Sequence, residues 1–144
     1  MRLDGRETVL RLKSLTYTSR ARLDLTDADL ADIHQTARHL NALDGVTGLL
    51  LFDGSRFLQI IEGGEAAIDN LVERLRRDPR HSALEVRDER FVEGRSFGDW
   101  SMELLRVSTG YRTAREEVAT ILPAGVAAPV RKLILRMSGE MSRT

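Results

Sequence analysis

Two apolar runs on either side of the turn Asp53-Gly54-Ser55 dominate this chain, and the segment VTGLLLFDGSRFLQIIEGG, Val46 to Gly64, has the pattern of a β-hairpin. Its second run, Phe57-Leu58-Gln59-Ile60-Ile61, is apolar on both faces and therefore belongs in a sheet covered on both sides. The two-residue period places Gln59 on one face with Phe57 and Ile61, inside the core. A primary amide left unpaired there costs about 1–3 kcal/mol, so partners must come from the protein or from a ligand. A bond to a neighbouring strand or helix end, the usual fate of buried polar groups, meets that need as well as a ligand does.

The rest of the chain supplies elements to pack around the hairpin. Thr8 to Tyr17 (TVLRLKSLTY) is β-branched and apolar, a strand expected to end at Thr18-Ser19-Arg20 with Tyr17 at its exit. Thr26 and Asp29 form a capping box that opens a helix with Leu30, Ile33, Ala37 and Leu40 at helical spacing. Asn41 shares that stripe, or else caps the helix before Leu43-Asp44-Gly45. Glu65 to Arg77 spaces Ile68, Leu71, Val72 and Leu75 as a second amphipathic helix, with Arg74, Arg76 and Arg77 in its last turn and Pro79 to stop it. Two further strands follow, Leu84–Val92 and Ser101–Val107, with Trp100, Met102 and Leu104 on one parity. The order βαββαββ implies an α+β, ferredoxin-like sandwich with both helices on one sheet face. The other face needs a cover. Ala114–Leu122 and a helix opened by Pro129, carrying Val130, Leu133, Ile134, Met137 and Met141, form a C-terminal helical extension that suits the opposite face. The expected division is a domain over 1–107 and that extension over 108–144.

The 144 residues hold 22 acidic and 22 basic side chains and no Cys. The balance weighs against a nucleic-acid or anionic-membrane binder, and the missing Cys excludes disulfides, thiolate metal sites and a Cys nucleophile. No apolar leader and no run of about 20 apolar residues occurs, so a soluble, cytoplasmic protein is expected. Catalytic and metal signatures are nearly absent. His34, His39 and His81 lack zinc-like spacing, with His34 and Arg38 reading as a solvated helix flank, and Glu62 and Glu65 as complements to a helix dipole. No Gly-rich dinucleotide motif or phosphate loop is present.

What remains is a set of neutral polar groups in apolar settings. In a ferredoxin-like sandwich strands one and three are adjacent and helix one packs over them, so Tyr17, Asn41 and Gln59 converge between helix and sheet. A cavity walled by Ile33, Ala37, Phe57 and Ile61, with those three side chains pointing inward, suits a flat ring that is mostly apolar with hydrogen-bonding edges.

The chain resembles the BLUF domains, blue-light sensors that use flavin. The resemblance is carried by Tyr17 at the end of strand one, Asn41 late in helix one, Val46-Thr47-Gly48-Leu49-Leu50, Phe57-x-Gln59, Glu62-Gly63, Arg80-His81 and Trp100-Ser101-Met102, in family order over about Val9 to Leu105. Phe52 stands where the family often has Tyr, and Leu40 where relatives are often polar. The resemblance implies FAD, or alternatively FMN, with its ring between the two helices. It implies that Asn41 pairs with the carbonyl and imide edge, that Gln59 bridges Tyr17 and the ring, and that Ile33, Arg74, His81 and Met102 line the site. Tyr17 would supply an electron and a proton on excitation, and Gln59 would return in its other arrangement by rotation or tautomerisation, with no substrate turned over and no enzyme activity. Trp100 and Met102 would relay the change to the sheet, unless they are ordinary core residues. With no attached effector in the sequence, output is expected to pass to a separate protein partner or to a homodimer or higher oligomer. An RNA-binding module on the same frame needs a stacking aromatic pair and a basic surface, and an acylphosphatase-like hydrolase needs a Gly-rich anion loop before helix one; neither is evident.

Overall fold

The computed structural model of the chain describes residues 11–98, 101–106, 114–126 and 128–141. Five strands, β1 (Leu12–Ala21), β2 (Thr47–Phe52), β3 (Arg56–Gly64), β4 (His81–Val92) and β5 (Ser101–Arg106), form one sheet in the order β4-β1-β3-β2-β5. The helices are α1 (Asp27–Leu43), α2 (Glu65–Arg77), α3 (Ala114–Ile121) and α4 (Ala128–Met141). The sequence's βαββαββ order therefore holds, and β1 and β3 are adjacent and antiparallel, as a ferredoxin-like sandwich requires. β5 adds a parallel edge beside β2.

Local chemistry explains the helix limits. Thr26 accepts the Asp29 N–H at 3.0 Å while the Asp29 carboxylate accepts the Thr26 N–H at 3.0 Å, so the capping box is complete. Helix α2 spans the predicted residues and ends at Asp78, just before Pro79. Strand limits moved more. β1 runs on to Ala21, placing Tyr17 in mid-strand rather than at its exit, because Thr18 and Arg20 pair with both β3 and β4 and that pairing overrides their turn propensity. For the same reason β4 begins at His81, opposite Ala21, instead of Leu84. Val107 and Trp100 lie outside the described residues.

The sheet separates two cores. Leu30 of α1 and Ile68, Leu71 and Val72 of α2 pack on Leu15, Tyr17, Phe57, Ile61 and Met102. Leu49, Leu51, Leu58 and Ile60 face the other way, against Phe97 and the tail residues Val118, Leu122, Val126, Val130 and Ile134. The tail thus covers the opposite face, as its apolar stripe predicts; the side chains of Met137 and Met141 lie outside the described residues. At Gly48 the backbone of β2 passes so close to β3 that a Cβ would stand 2.0 Å from the Ile60 carbonyl oxygen, which only glycine tolerates.

Candidate functional site: a cleft between the two helices

Tyr17 and Gln59 are direct cross-strand partners of β1 and β3, 2% and 4% exposed. The Tyr17 hydroxyl donates to Gln59 Oε1, and Gln59 Nε2 reaches Met102 Sδ at 3.0 Å, so the amide has one firm oxygen partner and one soft, weak one. Burial pushes the Tyr17 phenol well above its ordinary range, and the nearby Asp78 charge adds to the effect. The hydroxyl is therefore a neutral donor at any physiological pH.

Tyr17 and Gln59 floor an open cleft between the two helices. Ile33, Thr36, Ala37, Leu40 and Asn41 of α1 form one wall, and Leu71, Arg74 and Leu75 of α2 the other. Asn41 is 1% exposed, and neither its Oδ1 nor its Nδ2 has a hydrogen-bond partner. It does not cap the helix: α1 continues to Leu43, and the Asp44 and Gly45 N–H groups close the end on the Leu40 and Ala42 carbonyls. An orphaned donor and acceptor side by side in a buried cleft wall is the arrangement that a ring edge with a carbonyl and an imide N–H would satisfy.

At the mouth, Arg80 is held by Asp78, at 2.8 Å from Nη2 to Oδ2, and by Asp32 at 2.9 Å. These contacts hold the Asp78 carboxyl below its usual range and the Arg80 guanidinium above its own. His81 donates from Nε2 to the Leu75 carbonyl at 2.6 Å while Nδ1 meets Ser19 Oγ at 2.8 Å, so β4 is tied to the end of α2 beside Tyr17 and Phe57. Arg74 lines the cleft with its head 3.6 Å from Asp44.

Several sequence readings need correction. Met102 is fully buried behind Gln59 and does not line the cleft, and neither does Ile61. His34 is no solvated flank: it is half-buried, with Nε2 donating to the Met102 carbonyl at 2.9 Å. Glu62 does not serve the helix dipole. Its carboxylate, 2% exposed, accepts the Ser96 and Phe97 N–H groups at 2.9 and 2.7 Å. Arg80 and Asp78 were not singled out for the mouth; the Asp-Pro-Arg-His run after a basic helix end was the available signal.

The family profile described as BLUF, sensors of blue-light using FAD, matches residues 12–103. The chain belongs to the BLUF family. It is 42% identical over 71 residues, 49% of its length, to the photoactivated adenylate cyclase subunit beta of Euglena gracilis, of which it spans only 8%. Among solved structures it is similar to the dark-state BLUF protein BlrB, with a TM-score of 0.69 and 33% identity over 89% of this chain and 94% of that one. It is also similar to Klebsiella pneumoniae BlrP1 with FMN and cyclic diGMP, with a TM-score of 0.77 and 28% identity over 90% of this chain and 35% of that one. Neither rival is supported. The sheet face that an RNA module would need is covered by the tail helices of this BLUF domain. Among the described residues no metal-holding cluster occurs, and no helix is long and apolar enough to cross a membrane.

Proposed function

We propose that this BLUF domain senses blue light through a hydrogen-bond switch centred on Tyr17 and Gln59, with a flavin held between α1 and α2. The observation that carries the assignment of the ring's place is Asn41, whose buried amide lacks partners beside the apolar wall residues Ile33, Ala37, Leu40 and Leu71 of the cleft. Asn41 would hold the carbonyl and imide edge, Ile33 and Leu40 the ring face, and Arg74 and His81 the mouth side of the site. When bound, the flavin supplies blue-light absorption and an acceptor for an electron.

The chain's own part is proton placement. Tyr17 keeps its proton at the hydroxyl because burial disfavours the phenolate, and Gln59 Oε1 receives the bond. Rotation or tautomerisation exchanges the donating and accepting ends of Gln59 with almost no change of volume, so the network is rewired while the core stays packed. Output passes from the sensor residues 1–107, through Trp100, Met102 and the tail 108–144, to a cytoplasmic partner protein or a second copy of the chain.

Illumination of the FAD-loaded protein tests this reading. A small red shift of the flavin absorption that decays in the dark is expected, and Gln59→Leu, similar in size and with no amide to orphan, should fold but not shift. A full shift in Gln59→Leu contradicts the switch.

A further inference from the structure

Helix α1 walls the cleft with one face and touches β5 with another. The contact is specific. His34 Nε2 donates to the Met102 carbonyl at 2.9 Å, and Met102 is the extra residue at which pairing with β2 skips from Gly48–Ser101 to Leu49–Glu103. Its φ of +79° is left-handed, a conformation that a residue with a Cβ keeps only where its surroundings hold it. β5 is an edge strand with β2 as its one neighbour, so the sheet alone gives the bulge little support. The held side chain is fully buried, with Sδ 3.0 Å from Gln59 Nε2.

We propose that His34 is a positioning residue for the switch: by fixing the Met102 carbonyl it holds the bulge, and so keeps the Met102 sulfur against Gln59 Nε2. The proposal rests on the reading of Gln59 as the light-switched group. The observed orientation, Oε1 to Tyr17 and Nε2 to Met102, is the resting one, since an amide turned end for end would aim its oxygen at the sulfur and lose the N–H···S contact. Releasing the carbonyl weakens support for the resting orientation, so return from the lit state slows.

Dark recovery after a blue-light pulse, followed by absorption on the FAD-loaded full chain, tests this. His34→Ala, at a half-buried helical position that Ala suits, should slow recovery by about threefold to tenfold, the factor one hydrogen bond confers. His34→Gln, which keeps an N–H donor, should recover near the wild-type rate, and His34→Ala should add nothing in a Met102→Ala background. Unchanged or faster recovery in His34→Ala, or equal slowing in His34→Ala and His34→Gln, overturns the proposal. A wild-type protein with no light-induced shift instead removes the sensor reading, and this inference with it.

Discussion

Asn41 carries an unmet demand that no other cleft side chain shares, a buried donor and acceptor both without partners. Asn41→Ala should weaken FAD binding by about 1–3 kcal/mol in a fluorescence titration while leaving the flavin-free protein as stable or more so, because an orphaned amide is removed. Unchanged affinity would detach Asn41 from the ring. Tyr17 gives a pH signature of the same kind. Below its ordinary pKa of 10.0 the phenol is protonated in both folded and unfolded chains and contributes no slope. Above that pH the unfolded chain releases a proton that the folded one keeps, so stability falls as pH rises, by up to about 1.4 kcal/mol per pH unit. Urea denaturation from pH 9 to 11 should therefore show a steeper alkaline loss in the wild type than in Tyr17→Phe. Tyr17, expected at a strand exit, lies in mid-strand, whereas Gln59 and Asn41 were legible because each interrupts an apolar pattern at a known period. His34 was not, since a bond from a helix to the carbonyl of a bulged strand leaves no trace in periodicity.

The loop between β4 and β5 depends on pairs far apart in sequence. Glu62 of β3 receives two of its N–H groups, Arg95 spans the Gly45 carbonyl at 2.7 Å, Thr47 Oγ1 at 2.9 Å and the Glu62 carbonyl at 3.0 Å, and Ser96 Oγ reaches the Gly125 carbonyl at 3.2 Å. One short segment thus ties the end of the hairpin, the α1–β2 turn and the tail together. Glu62→Ala orphans two N–H groups around a buried site and should cost about 3 kcal/mol in urea unfolding. A loss below about 1 kcal/mol would mean that water replaces the carboxylate easily. Helix ends were readable from the capping box at Thr26 and the stop at Pro79, as these are local chemistry. The true ends of β1 and β4 were not, because Ala21 and His81 become strand by pairing with each other.

At the scale of the molecule, β3 belongs to both cores: Phe57 and Ile61 pack on the side of α1 and α2, where Phe57 and Gln59 line the cleft, while Leu58 and Ile60 face the tail. A change at Gln59 therefore arises one strand's thickness from α3 and α4. The apolar stripe of the last helix made that cover predictable, whereas the bulge at Met102 leaves no mark in the apolar period. Illumination should alter hydrogen exchange mainly in β5 and in residues 124–141, and Met102→Ala should reduce the change while sparing the red shift; identical light and dark exchange in the tail would send the signal out through α1 and α2. The central claim, that the Tyr17–Gln59 bond is the switch, is tested most directly by the light-minus-dark absorption spectrum of FAD-loaded Tyr17→Phe beside wild type. The variant should bind FAD and show no red shift where the wild type shows one, and a shift of wild-type size in Tyr17→Phe would contradict the account.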